Sequence, residues 1–176
     1  MCKFKQCILQ SPYTSEFLRY IPEVKKCYDK YCMYLQDDFS PKDLYLLIES
    51  VSPYFWLILN HEDEFMGFVF LDNFTGSGDI NYSAELTTCF AKKAWGSYTR
   101  YSAKFFLKKC FDDFGFYKIK AQIYPDNFRI KKLLKSSGFI YEATLPNETR
   151  RNGKAQDIEV YSLYKSYYYK NEVNDE

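Results

Sequence analysis

The feature that most constrains this chain lies between Glu85 and Phe139, where strand, turn, helix, strand and helix patterns follow one another without a break. Ala84 to Phe90 reads as a strand, and Trp95-Gly96-Ser97 as an irregular turn. A long helix follows, whose apolar residues Ala103, Phe106, Leu107, Cys110, Phe111 and Phe114 trace one face of a 3.6-residue period. Lys104, Lys108, Lys109, Asp112 and Asp113 take the opposite face. Gly115 stops the helix. Lys118 to Tyr124 alternates polar residues with Ile119, Ala121 and Ile123, the pattern of a half-buried strand. Pro125-Asp126-Asn127 turns the chain into a second helix lined by Ile130, Leu133 and Leu134, with Gly138 where a C-terminal cap glycine belongs. Such a βαβα unit should have parallel strands and a right-handed crossover.

The unit sets the first turn of its long helix at the carboxyl end of a strand. The amides there have no partner inside the helix, and the helix dipole favours an anion, so the turn can bind phosphate without a basic side chain. Every βα unit has such a turn, however, and most hold nothing.

The residues carry a more specific signal. Glu85-Leu86, Phe90 and Trp95-Gly96-Ser97-Tyr98-Thr99, then Cys110 to Ile119, then Asn127, Leu133 and Gly138-Phe139 resemble, in order and spacing, the GNAT superfamily of N-acetyltransferases. The likeness is greatest to the branch that acetylates ribosomal proteins at their N-termini. The resemblance implies an α/β (α+β) fold: a mixed, mostly antiparallel sheet of about seven strands with a parallel, splayed βαβ unit for the cofactor. It implies acetyl-CoA as co-substrate, with the pyrophosphate on the turn formed by Gly96, Ser97, Tyr98, Thr99, Arg100 and Tyr101. The pantetheine arm would run along the fourth strand at Phe90 and Ala91, and Asn127 would bond it. Glu85 matches the family's glutamate and is the candidate catalytic base.

The chain also departs from the family. The cofactor turn usually reads Gln or Arg, two residues, Gly, one residue, then Gly or Ala. Aligned on Gly96, this chain has Trp95 at the first position, Tyr98 at the central glycine and Arg100 at the last. Bulky side chains therefore stand where backbone should approach a phosphate closely, although Arg100 offers a fork donor of its own. The family's proton donors to the departing thiolate are a Ser three residues, or a Tyr seven residues, after the Asn; here those positions are Ile130 and Leu134.

A length of 176 residues suits one domain, expected over residues 1–165, with residues 166–176 as a polar tail. An apolar content of 47% excludes a disordered chain, and a net charge of +1 gives no electrostatic reason to expect nucleic acid. The 18 Tyr and 16 Phe could form a stacking surface. Over-use by AT-rich coding explains them as well, and the dominance of Lys over Arg favours that reading.

Met1 to Gln10 has no signal-peptide pattern, and no apolar run approaches the ~20 residues that span a bilayer. The reading is a soluble cytoplasmic protein with reduced cysteines. Cys2, Cys7, Cys27, Cys32, Cys89 and Cys110 contain no Cys-x-x-Cys pair, and there is one His, so no metal is expected.

Elsewhere, Phe4 to Leu9 reads as a first strand, and Phe17 to about Tyr31 as two helical pieces broken at Pro22. Asp29 to Ser40, with Tyr31, Tyr34, Asp37 and Asp38, is a loop over the acceptor side in the family's arrangement. Ser40-Pro41-Lys42-Asp43 is a helix start with Ser as N-cap, followed by the stripe Leu44, Leu47, Ile48 and Val51. Tyr54 to Asn60 and Phe65 to Asp72 form a hairpin around His61, an exposed turn residue. Phe74 to Asp79 is a loop. Phe139 to Leu145 and Ile158 to Lys165 form a last hairpin, joined by a long connection from Pro146 to Asp157.

Amine acetylation needs an uncharged amine, a polarised thioester carbonyl and a proton for the thiolate. Glu85 could take the amine proton directly or through water, and an unpaired N–H near Phe90 could bond the thioester oxygen. Water, or a nearby tyrosine such as Tyr161 or Tyr164, is left to protonate the thiolate. Two functions stay open. One is an acetyl-CoA-dependent N-acetyltransferase acting on a primary amine, a protein N-terminus among the acceptors, working alone or as a homodimer. The other is a catalytically degenerate GNAT-fold module that binds CoA or a protein partner.

Overall fold

A computed structural model describes residues 1–8, 17–31, 36–78 and 80–174. The strands are β1 (Lys3–Gln6), β2 (Phe55–Leu59), β3 (Phe65–Ser77), β4 (Ile80–Phe90), β5 (Lys118–Ile123), β6 (Ile140–Arg151) and β7 (Lys154–Tyr164). The helices are α1 (Ile21–Tyr31), α2 (Leu44–Val51), α3 (Ser97–Asp112), α4 (Phe128–Ser136) and α5 (Lys165–Asn174). The strands form one seven-stranded sheet in the order β1-β2-β3-β4-β5-β7-β6. It is mixed and mostly antiparallel, with β4 and β5 as its parallel pair. This is the sheet that the resemblance implied.

The chain divides into two compact units, and β3, β4 and α3 contribute to both. The first contains Met1–Asp72 and Thr87–Ser102. All five residues of β2, Phe-Trp-Leu-Ile-Leu, are buried. A short run that is apolar on both faces can be satisfied only as an inner strand, and β2 lies between β1 and β3. The rings of Phe55, Phe68 and Phe70 stack at centroid distances of 5.2 and 6.2 Å. Leu44, Leu47, Ile48 and Val51 of α2 are buried as their spacing predicts.

The start of α2 differs from expectation. Its N-cap is Asp43, which accepts from the amides of Tyr45 and Leu46, and Ser40 instead bonds Asp37 through its own amide and hydroxyl. A carboxylate facing two free amides is a charge-assisted cap aligned with the helix dipole.

The second unit contains Asn73–Leu86 and the chain from Ala103 onward. Phe106, Leu107, Cys110 and Phe111 of α3 are buried. Gly115 (φ +72°) ends the helix, and the amide of Phe116 closes back on the Cys110 carbonyl at 3.1 Å. The parallel register pairs Ser83, Ala84 and Glu85 with Lys118, Ile119 and Lys120, and β4 then runs on to Phe90.

Three other expectations in this unit are corrected. Phe74 to Ser77 is not loop but the end of β3, and β4 begins at Ile80; Asp79 lies outside the described residues, as do Leu9, Cys32 and Tyr34. The long connection expected from Pro146 to Asp157 is strand on both sides. It closes at Asn152-Gly153, whose φ angles of +53° and +74° form the two-residue turn that suits strand twist. The expected C-terminal tail is helical: α5 runs from Lys165 to Asn174. Tyr168 is buried there, and its hydroxyl donates to the Lys104 carbonyl at 3.2 Å. Lys165 Nζ also donates to the Phe111 carbonyl at 2.8 Å, and the Tyr169 hydroxyl bonds Asp112.

Candidate active site

Glu85 belongs to the second unit. It is half-buried on β4, and Asn73 Nδ2 from β3 and Gln122 Nε2 from β5 both donate to its Oε2, at 3.1 and 3.0 Å. Removal from water pushes its pKa up. The Asn73 bond, the positive charge of Lys120 and the Gln122 bond pull the other way without cancelling the rise. A carboxylate poised above its ordinary range is better matched to proton transfer near neutral pH.

Asn127 ends the turn after β5 and caps α4, its Oδ1 accepting from the Ile130 amide at 3.4 Å. A contact from Asn127 to a pantetheine arm would therefore fall to Nδ2. Ile130 is half-buried and Leu134 buried, so α4 presents no acid at either position. The two tyrosines weighed as acids are both committed to carboxylates. Tyr161 donates to Glu159 Oε2 at 3.1 Å and Tyr164 to Glu142 Oε1 at 2.6 Å. Desolvation and Glu159 raise the Tyr161 pKa, and the Glu142 bond and desolvation raise that of Tyr164.

The helix-opening turn belongs to the first unit. Lys92–Ala94 forms one 3₁₀ turn after β4, and Gly96 then takes φ +104°. A Cβ at Gly96 would meet nothing within 4 Å. The glycine is thus required by backbone conformation rather than by crowding. Ser97 opens α3, whose first amides lack partners inside the helix.

The two bulky residues of the turn are tied elsewhere. Tyr98 directs its hydroxyl to the Leu59 carbonyl in β2 at 3.0 Å, and burial pushes its pKa up to about 12. Trp95 Nε1 donates to the Phe90 carbonyl at 3.1 Å. The Tyr98 hydroxyl is thus committed to β2 rather than to the turn. Thr99 Oγ1 bonds the Ala94 carbonyl, which braces the turn, and Arg100 is exposed.

The Ala91 amide donates to the Met66 carbonyl at 2.9 Å, so it is already engaged by β3. Gly67, which the sequence reading passed over, has a packing role in the same strand. A Cβ there would lie 2.5 Å from the Cys89 carbonyl oxygen and 3.0 Å from the Phe90 Cα. Gly67 thus lets the β4 backbone come close at Cys89-Phe90. His61 is exposed in its turn beside Glu62. Cys2, Cys7, Cys27, Cys89 and Cys110 are buried free thiols. Among the described residues no cluster of His, Cys, Asp and Glu could hold a metal ion, and no helix is long and apolar enough to cross a membrane.

The mixed sheet, its parallel β4–β5 pair and the glycine-opened α3 that follows β4 are the fold features that the resemblance to the acetyltransferases implied. Residues 8–140 match the acetyltransferase (GNAT) domain family, and the chain belongs to it. It is an N-acetyltransferase, and acetyl-CoA is the acetyl donor of such enzymes.

Solved structures agree in fold. Spermidine N-acetyltransferase from Vibrio cholerae, in complex with CoA and spermine, superposes with a TM-score of 0.74 at 19% identity, over 96% of this chain and 98% of that one. A protein described as a candidate phosphinothricin N-acetyltransferase gives 0.70 at 14% identity, over 93% and 98%. No curated protein sequence matches the chain.

Proposed function

We propose that the chain transfers the acetyl group of acetyl-CoA to a primary amine, with Glu85 as general base. The observation that carries this reading is a half-buried β4 carboxylate with a raised pKa in a chain of the GNAT family. A primary amine near pKa 10 is mostly protonated at neutral pH, and Glu85 takes its proton directly or through one water. In the first unit, the amides of Ser97, Tyr98 and Thr99, with Arg100 and Tyr101 alongside, would hold the pyrophosphate, and Phe90 and Ala91 the arm; in the second, Asn127 Nδ2 is the candidate donor that the resemblance implies. Acetyl-CoA, when bound, would supply the activated thioester, and the N–H of Phe90 is the candidate donor to its carbonyl oxygen. Water protonates the thiolate, since Ile130 and Leu134 cannot and Tyr161 and Tyr164 already donate to carboxylates.

A polyamine is the first acceptor to test, because solved structures of this fold are named as spermidine N-acetyltransferases. A protein N-terminus, the acceptor of the ribosomal-protein branch, is the second. Both compact units belong to one acetyltransferase domain, since the spermidine enzymes are matched over nearly their whole length. The protein is read as cytoplasmic.

Calorimetry with acetyl-CoA up to millimolar ligand tests the cofactor. Thiol release with spermidine, and separately with a short peptide bearing a free N-terminus, tests the acceptor. The absence of an acid at Ile130 and Leu134 favours one rival, a CoA-binding or protein-interaction module without turnover. CoA heat with no thiol release from any amine would install that rival, and no heat at all would remove the cofactor reading. Native mass spectrometry reads cofactor occupancy and subunit number together, and so tests the homodimer expectation.

A further inference from the structure

Both hydrogen bonds to Glu85 fall on one of its oxygens. Asn73 Nδ2 and Gln122 Nε2 converge on Oε2, and among the described residues Oε1 accepts none. Neither donor is placed by its neighbours in sequence. Asn73 stands within β3 at φ +45°, a left-handed conformation that Asn tolerates better than most residues, and such a kink in a strand re-aims a side chain. Gln122 lies two residues beyond Lys120, the parallel partner of Glu85, and so shares its face of β5.

We infer that Asn73 and Gln122 are positioning residues for Glu85: their amides fix Oε2 and hold the side chain so that Oε1 is presented to the amine proton. The inference rests on the reading of Glu85 as base. Neutral amides suit this task. They favour the ionised carboxylate, as any donor does, but unlike a close cation they do not offset its whole charge. The groups that face Glu85 are Asn73 from β3, and Lys120 and Gln122 from β5; Lys120 is the charged one among them. Burial and donation thus act in opposite directions on the same group, and removing a donor leaves burial less opposed.

The test is a direct titration of the carboxyl group in protein labelled with ¹³C at the glutamate side-chain carboxyl. The Glu85 resonance is assigned by its loss in Glu85→Gln. Asn73→Gly deletes the amide while easing the left-handed backbone, and Gln122→Met keeps the side-chain length. Each should move the midpoint to higher pH, and the double variant further, with melting temperatures close to wild type.

In turnover the loss should concentrate on the acidic limb of kcat/KM, where each variant should fall on the order of tenfold, the effect of one hydrogen bond to a charged group. Midpoints that stay at the wild-type value would overturn the inference even if activity fell, because a merely structural role would lower the rate equally at all pH values. Failure of the underlying reading looks different: Glu85→Gln would turn over like wild type while the midpoints still moved.

Discussion

Glu85 and the turn from Trp95 to Tyr101 are built by opposite means. The carboxylate depends on side chains drawn from three strands, each of which must be the right chemical type: an acid on β4, an amide on β3 and an amide on β5. The turn depends on backbone. On the proposed reading its anion-facing groups would be amides; its glycine stands at φ +104°, and Trp95, Tyr98 and Thr99 bond carbonyls. If the turn holds the cofactor as proposed, the comparison explains how this chain can depart so far from its family's glycines there. Side chains there can vary as long as they find something else to bond. At Glu85 a change of one atom alters the chemistry.

The largest effect should therefore come from Glu85→Gln. Size and most hydrogen bonding persist, but the proton acceptor is gone. Turnover should fall roughly 10²-fold or more while calorimetry shows CoA affinity unchanged. Raising the pH should recover part of the rate, because solvent then deprotonates the amine.

The same variant has a stability signature. A carboxylate whose folded pKa is raised binds its proton more tightly in the folded state, so the cost of its burial is absent below the unfolded pKa and complete above the folded one. The stability of Glu85→Gln relative to wild type should thus improve as pH rises through and just above the ordinary carboxylate range, then level off. A pH-independent difference in melting temperature would mean that Glu85 does not titrate abnormally.

Gly96→Val tests the backbone half of the comparison. A β-branched residue at φ +104° is strained by about 1–3 kcal/mol, and relief would move the turn. CoA affinity should fall by roughly tenfold with the far-ultraviolet circular dichroism unchanged. If affinity holds, the turn does not bind through its backbone shape.

Gly67→Ala should act on folding rather than on the turn. A methyl group 2.5 Å from the Cys89 carbonyl forces the two strands apart. An overpacking cost of about 1–3 kcal/mol should appear as a lower melting temperature. Arg100→Ala should have the smallest effect. If the guanidinium grips phosphate, CoA affinity should drop by about 1 kcal/mol, less at high salt, as befits an exposed charge. A tighter-binding Arg100→Ala protein would show that the side chain obstructs the turn.

Much of this was legible locally. The apolar stripe of α3, the stop at Gly115, the cap at Gly138 and the strand at Lys118 to Ile123 each follow from periodicity and a single punctuating residue. Asn152-Gly153 was equally available as a hairpin signal, but its flanks hid it: β6 and the start of β7 are largely exposed, so no apolar alternation marked them as strand. The helix of residues 165–174 lacked a visible stripe for a similar reason, since Tyr168 is its one fully buried side chain among the described residues.

What the sequence determined by itself was most of the succession of elements, because backbone hydrogen bonding and amphipathic faces are decided within a few residues; the sheet and the candidacy of Glu85 came from the resemblance to the GNAT family. Tertiary structure alone decided where the side chains of the site are committed. Tyr98 reaches the Leu59 carbonyl, Gly67 makes room for Cys89, and Asn73 and Gln122 share one oxygen of Glu85. These partners stand on different strands and helices, far apart in the chain or across a turn. Which side chains meet across a sheet is set by register and by kinks such as that at Asn73, and neither leaves a periodic trace in sequence.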